Sequence, residues 1–177
     1  MMKLNVGCGT DIREGWINMD ISSLEGVDVV HDINNLPLPF DSCMFDEIVC
    51  QDILEHIEYI PVLKELHRIL KVGGVLSIRV PHFSSRNNYI DPTHKKMFSI
   101  RTFDFFAEPS FLGRGYYFDF KFSKIVDCKI IFQKKVLFYD YLIEPLINIH
   151  PRVMDLYEIT MLARIFPAEN IKIFLTK

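Results

Sequence analysis

The stretch LNVGCGTD, residues 4–11, joins a short apolar run to a turn that contains Gly7 and Gly9. The apolar run predicts a β-strand, and the glycines predict a tight turn at its carboxyl end. Glycine has no Cβ, so a ligand can approach the main chain closely at such a turn. In an open α/β sheet, ligands bind at this edge of the strands. The stretch therefore predicts a ligand site at the first strand of a parallel sheet.

Two further predicted strands, residues 16–19 and 27–31, are followed by carboxylates. Asp20 ends the second strand, where a carboxylate can accept both hydroxyls of a ribose. Asp32 ends the third strand, near the place of an adenine amino group. A dinucleotide fingerprint G-x-G-x-x-G would need a third glycine where Ile12 stands. This part of the chain therefore favours a nucleoside without a pyrophosphate.

The remaining pattern extends the same sheet. Apolar runs predict further strands, and an apolar stripe at helical spacing over residues 61–71 predicts a helix that ends at Gly73 and Gly74. The further strands are residues 47–50, 75–80, 124–132 and 171–176, and residues 141–166 are expected to be helical with interruptions at Pro145 and Pro151. Together they predict an α/β fold: a Rossmann-like, mostly parallel seven-stranded sheet with a terminal antiparallel hairpin, in three α/β/α layers.

One connection conflicts with this pattern. Parallel neighbours normally need a crossover of a dozen or more residues, but only nine residues separate Val6 from Trp16. Either the first crossover helix is reduced to about one turn, or the first two strands are misplaced.

Composition narrows the class of protein. The chain has 177 residues, 49% of them hydrophobic, and a net charge of -3, which predicts one globular domain over residues 1–177 and no nucleic-acid partner. Four cysteines without C-x-x-C spacing predict reduced thiols and a cytoplasmic protein. No signal peptide or membrane-spanning run is visible. We expect residues 1–81 to bind a cofactor and residues 82–177 to face an acceptor.

Seven ordered motifs carry a family resemblance. The chain resembles the class I S-adenosylmethionine-dependent methyltransferases, above all the short members of the methyltransferase type 11-like group. The similarity covers roughly residues 3–81. Its motifs are LNVGCG (4–9), GWINMD (15–20), LPLPFD (36–41), DEIV (46–49), ILEHI (53–57), LKVGG (70–74) and VP (80–81).

The resemblance implies S-adenosylmethionine as the cofactor and a site at the ends of the first four strands. The glycines of the first turn would line the methionine part, Asp20 would hold the ribose, and Asp32 would face the adenine. The two residues after the fourth strand would flank the methyl group, although the family often has histidine at the Asp52 position. The implied cofactor-binding residues are Asn5, Gly7, Cys8, Gly9, Asp20, Ile21, Asp32, Ile33, Gln51 and Asp52.

Two histidines are candidate catalytic bases. His82 follows the fifth strand, and His94 ends the stretch Asp91-Pro92-Thr93-His94 in the next loop. Histidine suits proton removal from an alcohol or amine at neutral pH, and related short methyltransferases often carry a similar stretch. The alternative is that the stretch only builds a turn. Two histidines and a carboxylate could also hold a metal, but no other residue marks a metal site and none is predicted.

Two other polar features have plainer interpretations. Asp52 and Glu55 have the spacing of a helix capping box, and His56 is interpreted as structural. The 15 Phe and 7 Tyr are concentrated after residue 83, where they favour core and a homodimer face over a lid.

The predicted activity is methyl transfer by direct displacement to a small-molecule, glycan or lipid-linked acceptor. A non-catalytic S-adenosylmethionine-binding or scaffold protein is the main alternative. A nicotinamide-dependent oxidoreductase is disfavoured by Ile12.

Overall fold

Seven strands form one sheet in the computed structural model, which describes residues 1–110, 113–134, 138 and 140–177. The sheet order is β3-β2-β1-β4-β5-β7-β6, with β1 to β5 parallel and β7 antiparallel to both neighbours. The predicted Rossmann-like fold class is therefore confirmed. The strands are β1 (Lys3–Val6), β2 (Ile17–Asp20), β3 (Val29–Val30), β4 (Phe45–Gln51), β5 (Leu70–Pro81), β6 (Lys124–Ile131) and β7 (Asn170–Thr176).

The helices connect and flank this sheet. The predicted central helix is α1, which begins and ends two residues earlier than expected and continues directly into β5 at Leu70. The prediction that Gly73 and Gly74 end the helix is wrong, because both lie inside β5. Pro145 lies inside a helix rather than between two, and Pro151 takes a first-turn position, where its missing N–H costs no bond. The helices are α1 (Tyr59–Ile69), α2 (Asn87–Ile90), α3 (Asp140–Ile147), α4 (Pro151–Ile159) and α5 (Leu162–Ile165), with 3-10 turns at Leu54–His56, Thr102–Phe106 and Gly115–Tyr117.

The short first crossover is a loop. The first two strands are placed as predicted, with Leu4 opposite Ile17, but residues 7–16 contain no helix. The buried Asn5 side chain instead donates to the carbonyl of Asp11 at 2.7 Å and to the side-chain oxygen of Asn18 at 3.2 Å. These bonds hold a loop that is too short for a helix.

Apolar residues meet in rows across the sheet. Register places Leu4 beside Ile48, Ile48 beside Leu76, and Leu76 beside Leu175, all four of them fully buried. The terminal strand β7 thus extends the core between β5 and β6. The expected hairpin of β6 and β7 is an antiparallel pair joined through α3, α4 and α5 rather than by a short turn.

The helical segments that the structure describes include none with the length and apolarity to cross a bilayer.

Candidate active site

A cavity of about 200 Å³ lies at the carboxyl ends of β1, β2 and β3. It contains five of the residues that the resemblance assigned to the cofactor: Gly7, Asp20, Ile21, Asp32 and Ile33. The other lining residues are Met19, His31, Asn34, Ile53, His56 and Ile57. We refer to this space as the nucleoside cavity.

The Asp20 carboxylate is held by the backbone around it. Its Oδ2 accepts from the Gly9 N–H at 2.7 Å, and its Oδ1 accepts from the Ser22 N–H at 2.9 Å. A carboxylate offers about four acceptor positions, so lone pairs remain on both oxygens for hydroxyl donors. The carboxylate is therefore fixed in direction and still able to bind a ribose.

Asp32 forms a local turn at the end of β3. Its Oδ1 accepts from the backbone and side-chain nitrogens of Asn34, both at 2.9 Å. The backbone bond from Asn34, followed by its side-chain bond, lowers the pKa of the Asp32 carboxyl. The Asp32 carboxylate is therefore a charged hydrogen-bond acceptor at the place where an adenine amino group was expected.

The two glycines of the first turn differ in what surrounds them. Both have left-handed backbone, with φ of +62° at Gly7 and +49° at Gly9. A Cβ at Gly7 would lie 2.2 Å from Cδ1 of Ile53, whereas no atom of the described residues, apart from the two chain neighbours of Gly9, lies within 4 Å of the corresponding position at Gly9. The Ile53 side chain fills the space beside Gly7. Of these two glycines, therefore, Gly9 is the one that leaves room for a ligand.

Four of the assigned cofactor residues line neither this cavity nor the larger one described next: Asn5, Cys8, Gly9 and Gln51. The Asn5 side chain donates to the Asp11 carbonyl in the crossover loop. The Cys8 N–H donates to the Met19 carbonyl at 3.1 Å. Burial, then the Asp20 charge, raises the pKa of the Cys8 thiol. Gln51 is half-buried at the end of β4.

A larger cavity of about 540 Å³ opens beyond the ends of β4 and β5. His56 lines both cavities. We refer to this space as the acceptor cavity. Its lining residues are mostly polar or charged: Asp52, Glu55, His56, Arg79, Pro81, Asn87, Ile90, Asp91, His94, Glu169 and Asn170.

The predicted capping box is wrong. The turn after β4 begins at Ile53 with no side-chain cap bond. Asp52 instead binds Arg79 of β5, whose Nε lies 3.0 Å from Oδ1 and whose terminal nitrogen also contacts the carboxylate. Asp52 has a φ of +55°, a left-handed conformation that aspartate tolerates better than most residues.

Glu55 is a buried carboxyl that the sequence analysis assigned only to the cap. Its side chain is 0% exposed, and neither carboxyl oxygen has a hydrogen-bond partner among the described residues. Burial raises the pKa of this carboxyl to about 7. The Glu55 backbone carbonyl accepts from the Lys95 and Lys96 N–H groups at 2.7 and 3.2 Å. These two bonds fold the loop that carries His94 over Glu55.

His94 lies beside Glu55 and His56, and it lines the acceptor cavity. Its ring meets the His56 ring edge to face, with centroids 4.6 Å apart. Its Nδ1 is buried and has no partner within the described part of the chain. Burial, then the neighbouring His56, lowers the pKa of His94.

His82 occupies a different place from His94. It is 0% exposed and lines neither cavity. Its Nδ1 accepts from the Ser84 N–H at 3.1 Å, and its Nε2 lies 3.1 Å from Glu158. Both ring nitrogens are thus engaged inside the protein.

Residues 4–78 match the family model of a methyltransferase domain. A demethylmenaquinone methyltransferase of Staphylococcus epidermidis is 35% identical over 72 residues, 38% of this chain and 30% of that protein. An uncharacterized protein of Methanocaldococcus jannaschii is 45% identical over 47 residues, 27% of this chain and 21% of that protein. The chain thus spans under a third of the length of these relatives.

The fold is similar to that of a solved S-adenosylmethionine-dependent methyltransferase from Archaeoglobus fulgidus. The TM-score is 0.65 at 21% identity, over 99% of this chain and 86% of that one. The match of residues 4–78 to the methyltransferase-domain model confirms the resemblance to the class I S-adenosylmethionine-dependent methyltransferases that the motifs carry. S-adenosylmethionine is the cofactor that this family implies, and the free lone pairs of Asp20 and the open space at Gly9 fit it.

Proposed function

We propose that the chain transfers the methyl group of S-adenosylmethionine to an acceptor bound in the acceptor cavity. The observation that carries this proposal is that His56 lines two cavities: one suits a nucleoside, and the other is polar and large enough for a small molecule. The cofactor would supply an electrophilic methyl group on a sulfonium: a lone pair of the acceptor would form a bond to the methyl carbon, the bond from sulfur to that carbon would break, and S-adenosylhomocysteine would leave with the bonding electrons on its sulfur.

The residues around the nucleoside cavity would bind and orient the cofactor. Asp20 accepts the ribose hydroxyls, and Asp32 with the main chain of Ile33 faces the adenine. The nucleoside cavity is smaller than the ~300 Å³ at the low end of ligand pockets. We therefore place only the nucleoside there and direct the methionine part past Gly9 toward the acceptor cavity. Alignment and exclusion of water would then supply most of the rate enhancement.

The acceptor cavity favours a polar acceptor. Carboxylates outnumber cations in its lining, and its single arginine, Arg79, is bound to Asp52. Hydroxyl and amino groups donate to carboxylates, so a carbohydrate or a small amine or alcohol fits better than an anion. Of the two predicted bases, we propose that His94 contacts the acceptor, and we assign no such role to His82.

The polar lining also disfavours the alternative of a binding or scaffold protein. That alternative would be favoured by an acceptor cavity without polar groups. We further propose a cytoplasmic location, supported by four cysteines that form no disulfide. The predicted homodimer and single-domain organisation remain proposals.

Calorimetric titration with S-adenosylmethionine and S-adenosylhomocysteine tests the proposal. We expect micromolar binding that Asp20→Asn weakens about 100-fold, or ~2.7 kcal/mol, because the amide keeps the shape but loses acceptor charge. The exposed Asp41→Asn is the matched control and should bind like the wild type. NAD should not bind. Absence of S-adenosylhomocysteine binding, or equal binding by Asp20→Asn, contradicts the proposal.

A further inference from the structure

We infer that Glu55, His56 and His94 form a site for a divalent transition-metal cation of the zinc class, in the wall of the acceptor cavity. One ligand atom from each of the three side chains lies within 4.8 Å of those of the other two. No comparison assigns a metal to this place, and the sequence analysis predicted none. The cation site itself is independent of the proposed function; only its use by an acceptor rests on that function.

The Glu55 carboxyl is the first observation that points to a cation. It is fully buried, and none of its oxygen atoms has a hydrogen-bond partner in the described ranges. An isolated buried carboxylate costs several kcal/mol unless a charge or donor compensates it. The nearby cation Arg79 is already bound to Asp52, and Glu55 does not bond to His94. A proton alone would neutralise Glu55 but would leave the His94 Nδ1 without a partner.

The hydrogen bonds of His56 supply the second observation. Thr93 Oγ1 donates to Asp91 Oδ1 at 2.6 Å, so its hydrogen is already used. It must therefore accept from the His56 Nδ1–H, which lies 2.8 Å away. The proton on Nδ1 leaves a free lone pair on His56 Nε2. A metal-binding histidine usually donates its other ring N–H to an acceptor that fixes the tautomer, and here the Thr93 hydroxyl, held by the Asp91 carboxylate, is that acceptor.

Two imidazoles and a carboxylate are a familiar ligand set for zinc with an open fourth position. Imidazole ligands favour Zn²⁺, Co²⁺ or Ni²⁺ over Mg²⁺, which prefers oxygen ligands. Tetrahedral ligation at about 2.0–2.1 Å separates ligand atoms by about 3.4 Å, so the three side chains must close slightly around the ion. The fourth position would face the acceptor cavity, where the metal would lower the pKa of a bound acceptor hydroxyl.

Metal titration of the full chain tests this site without any acceptor. After chelation and dialysis, we expect one equivalent of Zn²⁺ to bind by calorimetry, and Co²⁺ to give visible absorption of tetrahedral intensity. Glu55→Gln and His94→Gln should each weaken Zn²⁺ binding at least about tenfold, or ~1.4 kcal/mol. Thr93→Val, which removes the hydroxyl that joins His56 to Asp91 and leaves the three ligands in place, should weaken it about tenfold. The exposed neighbour Glu58→Gln is the control and should bind Zn²⁺ like the wild type.

S-adenosylhomocysteine binding by the same samples separates this inference from the proposed function. A wild type that binds S-adenosylhomocysteine but shows no saturable 1:1 Zn²⁺ binding overturns the metal site and leaves the function standing. A wild type that binds Zn²⁺ but not S-adenosylhomocysteine supports the metal site and contradicts the proposed function. Equal Zn²⁺ affinity in wild type and Glu55→Gln, with both variants folded by circular dichroism, also overturns the site.

Discussion

The Asp20 carboxylate accepts a hydrogen bond from the Gly9 backbone nitrogen at 2.7 Å. This bond joins the end of β2 to the turn after β1, the two places that the sequence marked most clearly. It fixes the carboxylate before any ligand binds, and it holds the turn that contains Gly7, a lining residue of the nucleoside cavity. The position of the proposed ribose acceptor therefore depends on two neighbouring strand ends, those of β1 and β2, and not on the glycine motif alone.

Gly7→Ala should impair the nucleoside cavity more than a comparable change elsewhere. Alanine at a positive φ costs about 1 kcal/mol or more at either Gly7 or Gly15. At Gly7 the new Cβ would also displace Ile53, which lines the nucleoside cavity, whereas the position at Gly15 is open. We expect Gly7→Ala to lower S-adenosylhomocysteine affinity about tenfold, or ~1.4 kcal/mol, by calorimetry. Equal affinities for the two alanine variants would contradict this reasoning.

Glu158→Ala should destabilise the protein without affecting cofactor binding. Glu158 is mostly buried, and it binds the His82 ring, the Ser99 hydroxyl at 2.6 Å and the Ile100 N–H at 2.9 Å. Loss of this acceptor leaves several buried donors unpaired, so urea unfolding should show a loss of about 3 kcal/mol. Glu108→Ala breaks only an exposed pair with Lys121 and should lose under about 1 kcal/mol. Similar losses in the free energy of unfolding for Glu158→Ala and Glu108→Ala would contradict this prediction.

Substitution of His82 and substitution of His94 should have different effects on the free energy of unfolding measured with urea. His82→Asn should lower the free energy of unfolding by about 2 kcal/mol, because it disrupts a buried bonded ring. His94→Asn should leave stability within about 1 kcal/mol of the wild type, since His94 Nδ1 has no partner in the described structure. A stable His82→Asn together with an unstable His94→Asn would reverse the roles of the two histidines.

His67 should contribute to loss of stability in mild acid. Burial, then the Lys177 charge, lowers its pKa in the folded protein, and its ring packs against Phe122 with centroids 5.1 Å apart. The unfolded chain therefore takes up the proton first, so this contribution is present above about pH 6.5 and is lost as the pH falls below it. Urea unfolding between pH 7.5 and 5.5 should show a shallower pH dependence for His67→Phe than for the wild type. An unchanged slope would exclude His67 as a contributor.

The sequence predicted the sheet well because its signals are local. Each strand is a short apolar run with a turn after it, and Asp20 and Asp32 needed only the rule that parallel strands end at one edge. The loop that replaces the first crossover helix was harder to foresee. It depends on bonds between Asn5 and Asn18, which a pattern of apolar residues does not reveal.

The acceptor side was less predictable because its contacts join distant parts of the chain. Asp52 has the spacing of a cap but is bound by Arg79 from the next strand. Glu55 is buried, and its backbone carbonyl accepts from Lys95 and Lys96 of a later loop. An acidic residue inside the apolar stretch 53–57 was the one available signal.

A crystal structure of the chain with S-adenosylhomocysteine would show whether the nucleoside cavity binds the cofactor as proposed. We predict the ribose hydroxyls within hydrogen-bond distance of the Asp20 carboxylate, the adenine beside Asp32 and Ile33, and the sulfur directed toward the acceptor cavity near His56. A ligand bound elsewhere, or one whose ribose does not contact Asp20, would contradict the account.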